Sequence, residues 1–359
     1  MKKRVAVIGT NGLPAKYGGF ETLINYLTHY LKDDFKFTVY CSKDNNSQKN
    51  KTYNKAKLIH LPLKANGMQS IIYDIVSIIH AIFNTDVFLI LGTPGTIILP
   101  LIKFFNKKII VNFGGLEWKR EKWPIFVRKY LKFTEMLGVK FSNMVIADNQ
   151  MFVDYIKQEY NEDAVLIEYG GDHIIHIFDK KNFFKKYPFA LSPYIISVSR
   201  AQVDNNIHML LEGYIESKKE MKLVIISNWQ SSDYGVKLKN KYSSYKGIVL
   251  LDAIYDQEEL DFLRGNAYLY VHTHSFCGTA PSLVEAMHHN IPIICYDAVT
   301  NQYTTEGKSL YFKNADELAY LIDNIDKNFE ENKKLMYSIA KKRYNWQIIS
   351  VKYAKILNI

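Results

Sequence analysis

The sequence predicts an α/β protein with two successive domains, each built around a parallel sheet that is covered by helices on both faces. Three observations predict this class. The chain has 359 residues, more than one hydrophobic core usually supports. Short apolar runs alternate with helix-length segments throughout, as expected for buried strands joined by crossover helices. The alternation is interrupted once, at the charged and aromatic stretch 179–193, and then resumes.

The first half contains seven apolar runs that we interpret as strands. Each is short and continuous, and segments such as residues 21–32 and 151–160 have the periodicity of the helices expected between them. The predicted strands are RVAVI (4–8), FTVYC (37–41), KLIHLP (57–62), DVFLIL (86–91), KIIVNF (108–113), MVIAD (144–148) and AVLIEYG (164–170).

The second half repeats the pattern with five further strands. They are YIISVS (194–199), KLVIIS (222–227), IVLLD (248–252), AYLYVH (267–272) and IPIICYD (291–297). We therefore predict Rossmann-like domains at residues 1–175 and 176–342. The last helical pattern is interrupted near Arg343 to Trp346, which predicts a bend that lets residues 343–359 pack back on the first domain.

Composition narrows the class of protein. Three cysteines without paired spacing argue against a disulfide framework or a zinc site, and they favour a reducing cytoplasm. The most hydrophobic stretch, residues 87–105, is broken by glycines and prolines, so a spanning helix is not expected.

The formal net charge is +10, and residues 1–175 hold 23 Lys and Arg against 16 Asp and Glu. This balance favours an anionic partner, either nucleic acid, a phosphorylated substrate or an acidic membrane surface.

The glycine-rich loop GTNGLPAKYGGFE, residues 9–21, follows the first predicted strand and leads into a helix. Its glycines do not have the Gly-x-Gly-x-x-Gly spacing of a dinucleotide loop, and it lacks the Gly-Lys-Ser/Thr of a triphosphate loop. It either presents the backbone amides of a helix N-terminus to an anion, or serves only the geometry of the turn.

The segment HTHSFCGTAPSLVEAMHHNIPIICYD, residues 272–297, carries the strongest signal. A strand is expected to end at His272, and Gly278-Thr279-Ala280-Pro281-Ser282 then opens a helix with a capping hydroxyl and a proline in its first turn. This arrangement can hold a diphosphate at the helix N-terminus while Glu285 accepts hydrogen bonds from ribose hydroxyls. Arg200 ends another strand and either neutralises a leaving phosphate or forms a surface ion pair.

Four ordered blocks resemble one enzyme family. The chain is similar to the retaining nucleotide-sugar glycosyltransferases of the GT-B fold, in the large sequence family numbered four, and most of all to its bacterial rhamnosyltransferase-like subgroup of capsule and cell-wall polysaccharide assembly. The resemblance spans nearly the whole chain. The blocks are GTNGLPAKYGGFET (9–22), GGLEWKREKW (114–123), SRAQVDNNIHMLLEGY (199–214) and GTAPSLVEAM (278–287).

The resemblance implies a fold and a set of site residues. Two Rossmann-like domains would face a cleft, with the first domain binding the acceptor and the second the nucleotide sugar. The catalytic candidates are Arg200, Glu285 and Gly19. The candidates for binding the donor nucleotide are Gly18, Gly19, Arg200, Gly278, Thr279, Ala280, Pro281 and Glu285, with Ala253 and Ile254 at the base.

Two positions depart from the family's usual pattern. Cys277 stands where the family usually has a glutamate that touches the donor sugar. Asp204, Asn205 and Asn206 stand where a lysine usually follows the arginine. Lys16 is a candidate replacement for that lysine.

The tract EWKREKWP, residues 117–124, is the main candidate for the acceptor. Two indoles, three cations and two carboxylates suit stacking on a sugar beside a phosphate, although a helix start with a solvated basic face has the same composition. Residues 123–141 fit either an anionic membrane surface or a core helix. The substrate-binding candidates are Lys16, Tyr17, Glu117, Trp118, Lys119, Arg120, Glu168, Tyr169, Asp172 and His274.

The implied reaction transfers a sugar with retention, most simply L-rhamnose from dTDP-β-L-rhamnose, to a lipid-diphosphate-linked saccharide. No His-x-x-x-His spacing, Cys/His cluster or Asp-x-Asp pair stands out, so we expect no metal and no cofactor beyond the donor. The expected location is the cytoplasm, peripheral at the inner membrane face, without a nucleic-acid partner. The alternatives are a UDP- or GDP-sugar donor, or a non-catalytic basic scaffold on a membrane or on nucleic acid.

Overall fold

A computed structural model of the chain describes residues 2–15, 18–43, 50–120, 123–177 and 179–359. The chain divides into two compact units. Unit 1 comprises Met1–Tyr169 together with Trp346–Ile359, and unit 2 comprises Gly170–Asn345. Each unit has an α/β architecture around its own sheet, as predicted. In the described ranges, no helix combines the length and the apolar composition needed to cross a bilayer.

Unit 1 is built on an eight-stranded sheet, as far as the structure describes it, with the order β3-β4-β2-β1-β5-β6-β7-β8. All neighbouring strands are parallel except β3 and β4. The strands are β1 (Arg4–Ile8), β2 (Lys36–Cys41), β3 (Thr52–Tyr53), β4 (Ala56–His60), β5 (Val87–Leu91), β6 (Lys108–Phe113), β7 (Met144–Ala147) and β8 (Ala164–Leu166). Its helices are α1 (Gly19–Leu31), α2 (Gln69–Ala81), α3 (Leu99–Ile102), α4 (Ile125–Phe141) and α5 (Gln150–Tyr160).

Unit 2 is built on a six-stranded parallel sheet within the described part, with the order β11-β10-β9-β12-β13-β14. Its strands are β9 (Tyr194–Val198), β10 (Lys222–Ser227), β11 (Ile248–Asp252), β12 (Leu269–His272), β13 (Ile293–Tyr296) and β14 (Leu310–Phe312). Its helices are α6 (Lys181–Lys186), α7 (Ile207–Glu216), α8 (Asp233–Tyr242), α9 (Gln257–Gly265), α10 (Pro281–His288), α11 (Val299–Thr304), α12 (Ala315–Asp323) and α13 (Phe329–Arg343).

The last helix, α14 (Trp346–Asn358), belongs to unit 1. The ring of Trp346 stacks on Tyr26 of α1 at 4.7 Å between centroids, and Asn112 Nδ2 donates to the Tyr353 hydroxyl at 2.7 Å. Its apolar side chains complete the core between α1 and the sheet. The predicted interruption near Arg343 to Trp346 and the return of the C-terminal helix to the first domain are therefore confirmed.

In unit 1, one predicted strand ends early and one observed strand was not predicted. The last strand of unit 1 was expected over 164–170 but ends at Leu166. As an edge strand β8 pairs only with β7, which ends at Ala147, so the ladder stops there. The short strand β3 was not predicted, and it forms because Thr52 and Tyr53 pair antiparallel with β4.

Candidate functional site

The carboxyl edge of the unit 2 sheet has a topological switch point between β9 and β12. The strands β10 and β11 lie on one side of β9 in the sheet, and β12, β13 and β14 lie on the other. Ligands bind at such a point in open parallel sheets. The loops that follow β9 and β12 are bound to each other. Ser275 N donates to Asp204 O at 3.0 Å, and Asn206 Nδ2 donates to Thr273 O at 3.1 Å. The two loops therefore form one continuous surface at this edge.

Helix α10 begins at this surface. Its N-cap is Ala280, its first residue is Pro281, and no side chain caps it, so the predicted capping hydroxyl is wrong. Pro281 has no N–H, and the N-cap residue Ala280 has no side-chain oxygen that could accept from the backbone amides that follow. Gly278 and Thr279 precede the helix, and Thr279 is buried. An uncapped N-terminus with a positive dipole end is suited to an anion.

Glu285 lies on the same helix. Its Oε2 is 2.5 Å from Arg264 Nη1, and its Oε1 is 3.3 Å from His173 Nε2. Burial by itself would raise the pKa of the Glu285 carboxyl, but the charge of Arg264 and the His173 hydrogen bond outweigh burial and lower the pKa to about 2. Its side chain is 12% exposed. Glu285 is thus an ionised hydrogen-bond acceptor at neutral pH.

Arg264 was not predicted from the sequence. It lies on the buried face of α9, where Asp261 is its second carboxylate neighbour at 3.9 Å. Asp261 in turn accepts from Ile175 N at 2.8 Å and lies 3.0 Å from His289 Nε2. The sequence does show that Asp261 and Arg264 are oppositely charged and three residues apart on a predicted helix. Such pairs are usually solvated, so this spacing did not indicate a buried residue. Here both members are buried.

The other unit 2 candidates lie at the same sheet edge. Arg200 is exposed just beyond β9, and its carbonyl accepts from Asn205 Nδ2 at 2.8 Å. Ala253 and Ile254 follow directly after β11. The structure thus brings Arg200, the helix start at 278–281 and Glu285 to one edge of one sheet. Their binding roles stay predictions.

The same edge carries a cluster that sequence spacing did not reveal. His272 ends β12, and His274 and Cys277 follow in its loop. One ligand atom from each of the three side chains lies within 4.8 Å of the others. Burial lowers the pKa of His272 to about 3, so its ring is neutral at physiological pH. The sequence-based statement that no Cys/His cluster occurs is therefore wrong.

The opening loop of unit 1 also lies at a switch point, between β1 and β5. Glu21 of α1 anchors it by accepting from Thr10 Oγ1 at 3.0 Å and Asn11 N at 2.7 Å. Gly18 has φ 120°, and a Cβ there would lie 2.0 Å from Glu21 Oε2. Gly19 is the first residue of α1. The candidates Lys16 and Tyr17 lie outside the described residues.

The residues of the predicted acceptor tract have two different surroundings: some pair with one another, and others line a groove. Glu117 accepts from Trp123 Nε1 at 2.9 Å and is paired with Arg120 Nε at 2.9 Å. Trp118, by contrast, lines a groove of about 570 Å³ along α4, which we name the α4 groove, and Lys119 Nζ lies 5.4 Å from its ring centroid. The groove is lined by Trp118, Ile125, Arg128, Lys129, Lys132, Phe133, Met136, Lys140, Glu159 and Tyr160.

Three further candidates are held within their own units. Glu168 is 4% exposed and pairs with Lys352 of α14 at 2.8 Å. Tyr169 is buried in the unit 1 core. Asp172, in unit 2, accepts from Asn345 Nδ2 at 2.7 Å. These contacts give each residue a structural role, and their contact with a sugar stays a prediction.

Two family models match the chain. Residues 2–172 match the "Domain of unknown function (DUF1972)", and residues 179–343 match "Glycosyl transferases group 1". Among curated proteins, none matches the sequence significantly.

Solved structures with the same fold cover nearly the whole chain. Sucrose-phosphate synthase from Thermosynechococcus elongatus is 17% identical, with a TM-score of 0.84 over 99% of this chain and 98% of its own. Anabaena Alr3699/HepE in complex with UDP-glucose is 13% identical, with a TM-score of 0.77 over 99% of each chain. A glycosyltransferase from Rickettsia africae is 15% identical, with a TM-score of 0.75 over 99% of this chain and 97% of its own. At these identities the similarity establishes the GT-B fold for a chain whose residues 2–172 match the DUF1972 model and whose residues 179–343 match the glycosyl transferases group 1 model.

Proposed function

We propose that the protein is a retaining glycosyltransferase that moves a sugar from a nucleoside diphosphate to an acceptor hydroxyl. The observation that carries this proposal is the uncapped N-terminus of α10 with the ionised Glu285 on the same helix, at the switch point of the unit 2 sheet. The helix start suits a diphosphate and the carboxylate suits ribose hydroxyls. The group 1 family match over residues 179–343 supports the same reaction class.

In this proposal the protein acts mainly through fixed electrostatics. Charge develops on the diphosphate as the sugar departs, so donors aimed at that charge lower the barrier. Arg200 is exposed at the sheet edge and supplies a permanent cation, while the α10 amides supply oriented dipoles. On the sequence resemblance, Gly18 and Gly19 are proposed as further contacts of the donor diphosphate. The transfer needs no metal ion in this scheme.

We propose dTDP-β-L-rhamnose as the donor, on the resemblance of four sequence blocks to the rhamnosyltransferase-like subgroup. Retention would then give a β-linked product. The similar structures bear on the base in another way, because Alr3699/HepE is solved in complex with UDP and with UDP-glucose. A UDP-sugar is therefore the alternative donor that these structures favour, and a GDP-sugar is a further alternative.

We propose a lipid-diphosphate-linked saccharide of bacterial surface polysaccharide synthesis as the acceptor. The α4 groove supports this choice, because Arg128, Lys129 and Lys140 lie beside the apolar Ile125 and Phe133. Lys132 is less available to bind a phosphate, since its Nζ pairs with Glu135 at 3.2 Å and with Glu159 at 2.9 Å. A groove that joins cations to apolar surface suits a phosphate attached to a lipid.

We propose that unit 1 binds peripherally to the inner face of the cytoplasmic membrane. Helix α2 supports this with four exposed apolar side chains at helical spacing, Ile72, Val76, Ile79 and, just beyond the helix, Phe83, which we name the α2 stripe. The Phe83 ring contacts Phe105, beside the exposed Leu101 and Phe104. An exposed apolar patch in a basic unit fits an anionic lipid surface.

The donor is tested by incubating the purified chain in parallel with dTDP-rhamnose, UDP-GlcNAc and GDP-sugars and following nucleotide release. We expect turnover of dTDP-rhamnose and retention at the anomeric carbon of the product, read by NMR. Turnover of another donor without turnover of dTDP-rhamnose would exclude the rhamnose assignment. The matched control is Glu285→Gln, which keeps the size of the side chain and removes its charge.

A non-catalytic scaffold is the competing function, and the net charge of +10 is the observation that favours it. A scaffold would keep its function in Arg200→Ala and Glu285→Ala and lose it on charge reversal between residues 119 and 132. A glycosyltransferase would lose nucleotide release in Arg200→Ala and Glu285→Ala, so these two variants separate the two functions.

A further inference from the structure

Two imidazoles and a thiol meet at the end of β12. One ring nitrogen of His272, one of His274 and the Sγ of Cys277 lie within 4.8 Å of one another, and the two rings are 4.3 Å apart between centroids. We propose that these three side chains are the ligands of a binding site for a borderline-soft divalent metal ion. The ion that fits the site is Zn²⁺. The inference does not depend on the proposed transfer reaction, for which no metal is needed.

The ligand set selects the class of metal. Zn²⁺ takes imidazole nitrogen and thiolate sulfur in tetrahedral geometry, whereas Mg²⁺ and Ca²⁺ take oxygen. Bond lengths of about 2.0–2.3 Å place two ligands of one Zn²⁺ ion roughly 3.5 Å apart. The separations here, up to 4.8 Å, need a contraction of about 1 Å, which rotation of the partly exposed Cys277 and His274 side chains can supply.

His272 gives a second, independent observation that points to a ligand. Its side chain is 1% exposed, and its Nε2 is buried without a hydrogen-bond partner among the described residues. A buried polar atom of this kind is costly unless it is satisfied by a partner, a water or an ion. The two rings lie 4.3 Å apart between centroids, which places this unpartnered imidazole beside the other side chains of the cluster.

The surrounding loop holds the ligands in place. Asn301 Nδ2 donates to His274 O at 2.9 Å, and Ser275 N donates to Asp204 O at 3.0 Å. Such contacts fix the backbone of the ligand-bearing loop, and supporting hydrogen bonds of this kind strengthen metal sites. Three protein ligands leave one tetrahedral position for water or another small ligand.

The test uses the full-length chain, reduced and free of any affinity tag. Zn²⁺ is titrated against a chromophoric chelator, and Co²⁺ is titrated separately and followed by absorption. We expect one equivalent of either metal per chain. The Co²⁺ protein should show a thiolate-to-cobalt charge-transfer band together with the intense visible bands of a tetrahedral ion. Mg²⁺ in excess should not displace either metal.

Two variants identify the ligands. Cys277→Ser and His274→Gln should each weaken Zn²⁺ binding by at least about tenfold, and Cys277→Ser should also remove the charge-transfer band. Cys41→Ala removes a thiol from unit 1 and should bind Zn²⁺ as the wild type does. Circular dichroism verifies that each variant is folded.

The absence of stoichiometric binding in the wild type, or unchanged binding in both ligand variants, would overturn the proposal. Because no donor or acceptor is present in the titration, its failure leaves the proposed transferase function untouched. Conversely, inactivity toward every nucleotide sugar leaves the metal titration unaffected.

Discussion

The guanidinium of Arg264 lies 2.5 Å from the carboxylate of Glu285, measured from Nη1 to Oε2, and the two side chains are 3% and 12% exposed. They come from different helices, α9 and α10, and His173 lies on the other side of the carboxylate. The pair keeps Glu285 ionised in a buried setting. The residue proposed to bind the donor's ribose is therefore positioned by an arginine on a neighbouring helix.

Arg264→Met should destabilise unit 2 by about 3–5 kcal/mol, because it leaves a buried carboxylate without its counter-ion. The double variant Arg264→Met/Glu285→Gln should recover much of that loss, since neither partner is then charged. It should nevertheless remain unable to bind nucleotide with wild-type affinity. Urea unfolding measures the first effect, and calorimetric titration with a nucleoside diphosphate measures the second.

The control for this cycle is Arg4→Met, which breaks the exposed ion pair between Arg4 and Asp86. Solvent screens such a pair, so its removal should have a much smaller effect on the unfolding curve. A double variant with wild-type nucleotide affinity would contradict the assigned role of Glu285.

Asp74→Asn should stabilise unit 1 increasingly as the pH rises from about 4 to about 8. Burial raises the pKa of the Asp74 carboxyl to about 8, against the Gly95 amide hydrogen bond, which lowers it. Below pH 3.8 the group is neutral in both the folded and the unfolded state and costs nothing. Above that pH only the unfolded state ionises freely, so stability is lost until the folded group also ionises near pH 8. The difference amounts to a few kcal/mol, at about 1.4 kcal/mol per pKa unit.

The measurement is the difference in urea midpoint between Asp74→Asn and wild type across this pH range. Asp33→Asn serves as the control, because Asp33 is exposed and Lys55 lowers its pKa. Asp33 contributes stability above its unfolded pKa, so its variant should show no growing advantage between pH 4 and 8. A difference for Asp74→Asn that is constant with pH would refute burial of a neutral carboxyl.

Gly19→Ala should reduce turnover much more than it reduces nucleotide affinity. Alanine suits the first turn of α1, so the fold should tolerate it, while the added methyl would keep the backbone amides from the developing charge on the diphosphate. We expect kcat to fall by more than about tenfold and the nucleotide dissociation constant to change by less than about twofold.

Gly18→Ala is not a suitable variant for this test, because it would change the structure of the loop. Gly18 has φ 120°, and a Cβ there would lie 2.0 Å from Glu21 Oε2, so the substitution strains the loop itself. If Gly19→Ala weakened nucleotide binding as strongly as it slowed turnover, the loop would have to bind the ground state and the transition state alike.

Replacing Ile72, Ile79 and Phe83 of the α2 stripe by Ser should weaken binding to vesicles that contain anionic lipid. These side chains are 55%, 53% and 76% exposed, so their loss removes apolar contact with the bilayer without opening the core. Vesicle co-sedimentation measures the change. Tyr320→Ser, which removes an exposed apolar side chain of unit 2, is the control and should bind as the wild type does. Equal binding by the stripe variant would contradict the proposed membrane face.

Local patterns in the sequence determined the architecture of this chain. The apolar runs predicted the central strands, because a strand buried on both faces has to be continuously apolar. The interruption before Trp346 predicted the separate last helix, and the glycine-proline stretch before Glu285 predicted the start of α10. Each of these signals lies within one element and its flanks, where spacing alone specifies which face a residue occupies.

Tertiary structure decided the surroundings of the candidate site. Arg264 and His173 approach Glu285 from distant parts of the chain, and no periodicity within α9 distinguishes a buried ion pair from a solvated one. The cluster of His272, His274 and Cys277 likewise depends on the conformation of the loop after β12. Sequence spacing specifies which way a side chain points from its own helix or strand. Burial and the distances between elements arise only when the sheet brings the ends of those elements together. Burial and distance fix the charge of Glu285 and the metal-ligating geometry of the cluster.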